Sequence, residues 1–327
     1  MKKLINKVEN VEMEMIEGIV KAHPDIVEQI PGQTILVRKN KKTDKVALIS
    51  GGGSGHEPAH GGYVGKGMLD AAVAGAVFTS PSTDQVLEAI NAVGTDAGVL
   101  LVIKNYTGDV LNFKEAIEDA ECPVDYVVMD DDVAVDGSLY TVGRRGVAGT
   151  VFIHKVAGAK AEEGAPLAEV KRVAEKVIAN TRTMGMSLTP CTVPAAGKPG
   201  FEIGENEMEI GMGIHGEPGV RREAIKPVNE IVDELLGKIL GDNVEYAGHE
   251  VAVMINGCGG TPLMELYIVN NHVSDVLAEK GVKVYKTFVG NYMTSLEMQG
   301  FAISLFRLDD ETKALLDAPA DTPAFKA

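Results

Sequence analysis

Apolar residues in the first part of the chain recur in short runs, and polar turn residues separate these runs. Residues 11–22 carry apolar side chains at helical spacing before the break at His23 and Pro24, which predicts an opening helix. Stretches with helical periodicity, such as residues 109–120, alternate with the apolar runs. This alternation predicts a largely parallel sheet with flanking helices. The predicted strands are VALIS (46–50), AAVAGAVF (71–78), VLLVI (99–103) and VDYVVM (124–129).

A second part of the chain begins after the amphipathic stretch at residues 166–184. Residues 187–200 contain three prolines and little periodicity, so the boundary between two domains is predicted there. The first α/β domain then spans residues 1–186, and the second α/β domain spans residues 187–327. The second domain is predicted to combine a mixed sheet with helices. Its predicted strands cover residues 208–214, 251–255, 282–290 and 301–308.

Composition and charge agree with two α/β domains and disfavour several classes of function. The chain has 327 residues, of which 45% are hydrophobic, 5% are aromatic and 37 are glycine, as is typical of α/β proteins with tight turns. The net charge of -16 disfavours binding to nucleic acid or to an anionic membrane. Three cysteines without a C-x-x-C pair, and the lack of an apolar run of about 18 residues, predict a soluble cytoplasmic protein.

Polar residues that follow predicted strands supply a candidate site. His56, Ser80, Lys104 and Asp109 lie in loops after strands of the first domain, and His215 follows the first predicted strand of the second domain. The carboxyl ends of parallel strands meet at one edge of a sheet, where ligands bind. Each residue alone is more often an ordinary loop residue or, for His215, a buried histidine. The predicted site therefore rests on their convergence.

Residues 56–60 read HEPAH, which satisfies the H-E-x-x-H pattern of zinc hydrolases. A zinc site would need a continuous helix with His56 and His60 on one face and Glu57 next to the metal-bound water. Pro58 and the flanking glycines disfavour that helix, because proline in a helix interior clashes with the preceding turn. The sequence therefore predicts no metal site. The glycines instead predict a close approach of the backbone to a small polar ligand.

The candidate residues are of types that perform acid–base and nucleophilic chemistry. In the turn KNYTGD, Lys104 would keep Asp109 ionised, and Asp109 would accept a proton from a substrate hydroxyl. His215 has three open roles, as a base, as a hydrogen-bond donor or as a nucleophile toward a carbonyl carbon.

A specific combination of segments extends over residues 49–305. The segments are ISGGGSGHEPAHGGYVG, KNYTGD, TMGMSLTPCTVPAAGKPG, EMEIGMGIHGEPG, NGCGGTPLMEL and VGNYMTSLEMQGFAISL. Together they resemble the substrate-binding subunit of bacterial dihydroxyacetone kinases that depend on the phosphotransferase system. The resemblance implies two α/β domains, a homodimer, and dihydroxyacetone bound at the strand ends of the first domain.

The resemblance also implies roles for individual residues. His215 would form a hemiaminal with the carbonyl carbon of dihydroxyacetone, and Asp109 would be the general base. His56 would hydrogen-bond the substrate hydroxyl and assist proton transfer. The other residues that would line the pocket are Gly53, Ser80 and Lys104.

The phosphate donor is expected on another protein. The resemblance implies a separate subunit that carries ADP and magnesium and that a phosphocarrier protein of the phosphotransferase system recharges. No cofactor is expected in this chain. The expected activity is that of the substrate-binding subunit of a phosphoenolpyruvate-dependent glycerone kinase.

Two other classes of function remain open. A paralogous coactivator would bind dihydroxyacetone and signal to a transcription regulator without phosphorylating anything. The joint presence of Lys104, Asp109, His56 and His215 favours the kinase, because a sensor must bind the carbonyl group but needs no general base. A zinc hydrolase built on residues 56–60 would contain stoichiometric metal. Glu57, His60 and Cys258 receive no chemical role, and Cys258 is interpreted as a small buried hydrophobic residue.

Overall fold

Two six-stranded sheets form the framework of the chain, which is described over residues 2–136 and 141–327 of a computed structural model. Helices flank both sheets. The α/β class predicted from the sequence is confirmed.

The first sheet contains the strands predicted in the first part of the chain and two shorter ones. Its strands are β1 (Val27–Gln29), β2 (Ile35–Arg38), β3 (Ala47–Ser54), β4 (Ala71–Val77), β5 (Val99–Lys104) and β6 (Val124–Met129). Their order in the sheet is β1-β2-β4-β3-β5-β6, and β4, β3, β5 and β6 are parallel. The antiparallel strands β1 and β2 are additional to the prediction, since three or four residues are too few to show a period.

The second sheet is mixed, as predicted. Its strands are β7 (Thr181–Ser187), β8 (Glu207–Ile210), β9 (Arg221–Ala224), β10 (Glu250–Gly257), β11 (Lys283–Gly290) and β12 (Gly300–Leu308). Their order is β11-β10-β12-β7-β8-β9. Among these neighbours β10 and β11 are parallel, and the other pairs are antiparallel.

Helices form three layers around the two sheets. The helices are α1 (Val11–Ala22), α2 (Thr83–Val93), α3 (Thr107–Glu118), α4 (Thr150–Glu162), α5 (Leu167–Asn180), α6 (Val228–Leu240), α7 (Leu263–Glu279) and α8 (Asp310–Asp317). One core joins α2 and α3 to the first sheet, and another joins α6 and α7 to the second. Helices α4 and α5 lie in a core that both sheets share, because it contains Leu48 of β3 and Phe306 of β12. This shared layer brings the two sheets together.

The structure corrects the prediction for residues 166–184 and for the strand at 208–214. Helix α5 ends at Asn180, and the next seven residues form β7, which pairs with β12. A division after residue 186 therefore separates β7 from the strands with which it pairs. Strand β8 ends at Ile210, because Gly211 has a φ of 76°, in the left-handed region.

The HEPAH segment forms turns and no helix. A short 3-10 turn at Gly61–Tyr63 follows it. The continuous helix that a zinc site would require is therefore not formed. Over residues 2–136 and 141–327, no helix combines the length and the apolar character needed to cross a membrane.

Candidate active site

A pocket of about 710 Å³ lies where the carboxyl ends of β3, β4 and β5 meet the loop between β8 and β9. The first sheet and the second sheet thus both contribute to it. The residues that line it are Gly53, Phe78, Ser80, Tyr106, Thr107, Gly108, Asp109, Gly200, Phe201, His215, Gly216, Glu217 and Pro218.

The glycines at the end of β3 permit close packing beside the pocket. Gly52 has a φ of +151°, and a Cβ atom there would lie 2.4 Å from Nζ of Lys104. A Cβ atom on Gly53 would lie 2.5 Å from the backbone nitrogen of Thr79. No side chain fits at these two positions without displacing its neighbours. The glycine-rich run therefore lets β3 approach the side chains of the adjacent loops.

Asp109 lies in the first turn of α3, and its carboxylate has two side-chain donors. The hydroxyl of Ser80 donates to Oδ1, and Nζ of Lys104 lies 3.2 Å from Oδ2. Lys104 also donates to the carbonyl oxygen of Gly51 at 3.1 Å. Lys104 and Asp109 are 1% and 3% exposed, so this ion pair is shielded from water. The arrangement gives the pocket a carboxylate that is fixed by two side-chain donors.

His56 is fully buried, and its hydrogen bond fixes its tautomer. Nδ1 lies 2.7 Å from the carbonyl oxygen of Thr294, which can only accept, so Nδ1 carries the proton. Nε2 is then unprotonated, and it has no hydrogen-bond partner among the described residues. Burial, followed by the charges of His215 and Lys104, holds the pKa of His56 well below its usual value. His56 is therefore a neutral hydrogen-bond acceptor at Nε2.

The ring of His215 is enclosed by three other rings. The ring centroids of Tyr106, His56 and Phe78 lie 4.6, 4.7 and 5.2 Å from that of His215, each with an edge-on orientation. Phe78 also stacks on His56 with a centroid distance of 5.1 Å. Its φ of 58° is unusual for a residue with a side chain, and such strain concentrates at functional sites. These contacts place His215 directly beside His56.

Glu217 accepts two hydrogen bonds from His215. Oε1 lies 2.9 Å from Nδ1 of the ring, and Oε2 accepts from the backbone N–H of His215 at 2.9 Å. Burial alone would raise the pKa of Glu217, but the charges of His215 and Arg145 lower it to about 2. The ionised carboxylate can only accept, so Nδ1 of His215 carries a proton, and in the neutral form of the ring the lone pair is on Nε2. An imidazole in this state is a nucleophile or a base at Nε2.

The structure brings all six predicted site residues together. Gly53, Ser80, Asp109 and His215 line the pocket, Lys104 bonds to Asp109, and His56 contacts His215. Their chemical roles stay predictions.

Sequence reasoning missed three residues that shape the site. Glu217 stands two positions after His215, and this spacing was an available signal for a histidine–carboxylate pair. Phe78 and Thr294 gave no signal, because a strained φ and a contact across 238 positions are visible only in the fold.

His60 and Glu57, the residues of HEPAH that were left without a role, each contact another residue. Nδ1 of His60 lies 2.9 Å from Nε2 of His154, and the carboxylate of Glu57 accepts the N–H of Gly55. Cys258, predicted to be a buried hydrophobic residue, is only partly buried and packs against a small apolar cluster, where desolvation raises the pKa of its thiol to about 12. Within residues 2–136 and 141–327, no cluster of three or more histidine, cysteine, aspartate or glutamate side chains has the arrangement of a metal site.

Comparisons with known proteins give a consistent result over the whole chain. A family model described as the Dak1 domain matches residues 17–324. The chain is 52% identical over 329 residues to the dihydroxyacetone-binding subunit DhaK of PTS-dependent dihydroxyacetone kinase 1 of Listeria innocua, covering 99% of this chain and 100% of that one. It is 44% identical to the dihydroxyacetone-binding subunit DhaK of the PEP-dependent kinase of Escherichia coli, covering 99% of each chain.

Two solved structures are similar to the whole chain. The native dihydroxyacetone kinase of C. freundii superposes with a TM-score of 0.91 and 36% identity over 99% of this chain and 60% of that longer one. The dihydroxyacetone kinase operon co-activator Dha-DhaQ superposes with a TM-score of 0.90 and 37% identity over 98% of each chain.

Proposed function

This chain belongs to the Dak1 family, and from that membership we propose that it is the dihydroxyacetone-binding subunit of a phosphoenolpyruvate-dependent dihydroxyacetone kinase. One observation carries the proposal. His215, whose Nδ1 atom bonds to a carboxylate, and Asp109, which is paired with the buried Lys104, line the same pocket, although they come from different sheets. A nucleophile and a proton acceptor at one small pocket are what capture and activation of a hydroxylated ketone require.

Capture of the substrate uses His215. Nε2 attacks the carbonyl carbon of dihydroxyacetone, and an N–C bond forms while the π electrons of the carbonyl group move to oxygen. That oxygen takes a proton from a water molecule, which leaves as hydroxide into the solvent, and the hemiaminal is complete. The ring then carries a positive charge, which the carboxylate of Glu217 at 2.9 Å balances. Glycerol offers the same hydroxyls but no carbonyl carbon, so this step selects the ketone.

Activation of the terminal hydroxyl uses Asp109 and His56. The bound hydroxyl donates its hydrogen bond to the acceptor atom Nε2 of His56, which orients it and assists the transfer, and Asp109 is the final acceptor of the proton. The hydroxyl oxygen then attacks the terminal phosphorus of a nucleoside triphosphate. The new P–O bond forms as the bond to the leaving ADP oxygen breaks, and the product is dihydroxyacetone phosphate.

The phosphate donor is assigned to a partner subunit. Among the described residues that line the pocket there is no lysine or arginine, whereas Asp109 and Glu217 are acidic. Phosphoryl transfer needs cations around the transferred group, so the nucleotide and its magnesium would bring them on an ADP-binding subunit. A phosphocarrier protein would recharge that ADP. The homodimer and the cytoplasmic location stay predictions.

The coactivator function is a second candidate, because the superposition on a co-activator chain covers 98% of both proteins. A sensor that only holds dihydroxyacetone would need His215 but would have no use for a shielded proton acceptor. The contacts of Asp109 with Ser80 and Lys104 therefore favour the kinase.

The test is the formation of dihydroxyacetone phosphate from dihydroxyacetone. This chain is mixed with an ADP-loaded nucleotide subunit and its phosphodonor system, and each component is omitted in turn. Product that depends on this chain supports the kinase. If dihydroxyacetone binds but no product forms, while the same partners work with a known kinase subunit, the coactivator function replaces it.

A further inference from the structure

We propose that Glu217 is a positioning residue for the covalent step, and that the buried Arg145 and Asp132 fix its carboxylate beside His215. The inference rests on the proposed function, since the covalent step is part of it. In this inference Glu217 determines which tautomer His215 adopts and stabilises the positively charged adduct.

The two contacts of Glu217 fix both the ring and the backbone of His215. One carboxylate oxygen accepts from Nδ1 and the other accepts from the backbone N–H of the same residue. The loop 213–217 closes on itself through a hydrogen bond from the N–H of Gly213 to the carbonyl oxygen of Glu217 at 3.1 Å. Because both ends of this short loop are bonded, the ring of His215 has one available orientation. Its Nε2 then lies on the side of the ring opposite to Glu217.

Arg145 holds the other side of this loop. It is 0% exposed, and its Nε and Nη2 atoms lie 2.8 and 2.7 Å from Oδ2 of Asp132. Nη2 also donates to the carbonyl oxygen of Gly211 at 2.7 Å. A buried arginine with several fixed acceptors cannot move away without leaving a charge unpaired, so it is a rigid support.

Gly213 lies next to both Arg145 and Glu217. A Cβ atom on Gly213 would lie 2.1 Å from Oε2 of Glu217 and 2.7 Å from Nη1 of Arg145. Nη1 has no hydrogen-bond partner among the described residues, so its charge acts on the carboxylate through space. The guanidinium therefore keeps Glu217 ionised even though Glu217 is 4% exposed.

The two histidines of the pocket are thereby given different properties. Nδ1 of His56 donates to a neutral carbonyl group, whereas Nδ1 of His215 donates to a carboxylate. A carboxylate stabilises a positive imidazole ring, as forms when Nε2 bonds to carbon, and a carbonyl group does so much less. Only His215 is therefore equipped to carry the covalent bond, and His56 remains an acceptor.

The test compares Glu217→Gln with wild type and with Asp109→Asn. Dihydroxyacetone labelled with ¹³C at the carbonyl carbon reports the adduct, because its resonance leaves the ketone region when that carbon becomes tetrahedral. Long-range ¹⁵N–¹H spectra of the free proteins report the tautomer of His215. We expect the adduct in wild type and in Asp109→Asn. In Glu217→Gln the equilibrium constant for adduct formation should fall by about 10- to 100-fold, which is the usual effect of removing a carboxylate that orients a metal-binding histidine.

A matched control is Glu169→Gln, which removes the charge of another glutamate paired with an arginine, Arg172, on the exposed face of α5. It should form the adduct as wild type does. An unchanged adduct in Glu217→Gln would overturn the inference. A wild-type spectrum with the His215 proton on Nε2 would also overturn it. This second measurement does not depend on whether the variant folds. If wild type shows the Nδ1 proton but forms no adduct, the proposed function fails while the assignment of the tautomer stands.

Discussion

His56 and His215 have ring centroids 4.7 Å apart, yet their Nδ1 atoms donate to a carbonyl oxygen and to a carboxylate oxygen respectively. In the neutral form of each ring, the proton on Nδ1 leaves the lone pair on Nε2. The chemical character of each histidine therefore depends on the group that its Nδ1 atom contacts and not on the residue type alone. The third group, Asp109, differs again, because its carboxylate has two side-chain donors, Ser80 and Lys104.

Replacing the proposed base should separate binding from turnover. Asp109→Asn keeps nearly the same shape but cannot accept a proton, so kcat should fall by about 100-fold or more, as expected for a lost general base. The ¹³C adduct signal should persist, because His215 is unchanged. The measurement is the initial rate of dihydroxyacetone phosphate formation with the partner system. A rate within about threefold of wild type would remove Asp109 from this role.

Replacing the proposed nucleophile should abolish the covalent binding of the substrate. In His215→Ala no atom can bond to the carbonyl carbon, so the ¹³C adduct signal should disappear and dihydroxyacetone should bind weakly by calorimetry. His272→Ala is a matched control, because His272 lies on α7 and bonds to Asp233 of α6. It should form the adduct normally. An adduct of undiminished size in His215→Ala would assign the covalent bond to another residue.

At the scale of elements, the strand ends decide which side chains reach the pocket. Strands β3 and β5 are buried along their whole length, so their sequences are continuous apolar or glycine runs and were predictable. Strand β7 was not predictable, because Thr181 and Arg182 continue the helical pattern of polar residues in α5. Pairing with β12 overrides that local pattern. The predicted site residues were found because they follow strands whose apolar runs are clear. Thr294 was not found, although it follows the predicted strand at residues 282–290, because it contacts His56 through its backbone carbonyl group, which any residue type would supply.

The glycine end of β3 provides a test at this scale. A Cβ atom on Gly52 would lie 2.4 Å from Nζ of Lys104, and its φ of +151° disfavours any side chain. Gly52→Ala should therefore displace Lys104 from Asp109 and lower the free energy of unfolding by about 1 to 3 kcal/mol. Activity should fall with it. Thermal unfolding and the kinase assay measure both effects.

Gly237→Ala is the matched control for that substitution. Gly237 lies inside α6, and nothing approaches within 4 Å of the position that a Cβ atom would take. Alanine there should stabilise the protein by about 0.5 to 1 kcal/mol, because it restricts the unfolded chain and favours the helix. Equal effects of the two substitutions would mean that the packing at Gly52 does not matter to the site.

For the whole molecule, the shared layer of α4 and α5 determines whether the pocket can exist. The pocket needs Asp109 from the first sheet and His215 from the second, and His56 takes its tautomer from Thr294 in the loop before β12. These residues lie far apart in the sequence, so no local sequence pattern predicts that they come together. The end of α4 is tied to β2 by Glu162, whose carboxylate pairs with Arg38 and lies 2.9 Å from Nζ of Lys42. This ion group anchors the shared layer to the first sheet.

The contribution of Glu162 to stability should depend on pH in a defined direction. Burial alone would raise the pKa of Glu162, but Arg38 and Lys42 lower it to about 2, below the value of about 4.3 in an unfolded chain. The folded state therefore binds protons less readily than the unfolded state, and the stabilisation is complete above the unfolded pKa. It is lost as the pH falls from about 4 to about 2.

Denaturant unfolding of wild type and Glu162→Gln measures this contribution. At pH 7 the variant should have a free energy of unfolding lower by an amount on the order of 2 to 3 kcal/mol, and the difference should shrink as the pH falls toward 2. Glu163→Gln is the control, because Glu163 is 54% exposed in its pair with Lys160 and should contribute less than about 1 kcal/mol. A difference for Glu162→Gln that stays constant from pH 7 to pH 2 would show that the loss comes from altered packing and not from the ionised carboxylate.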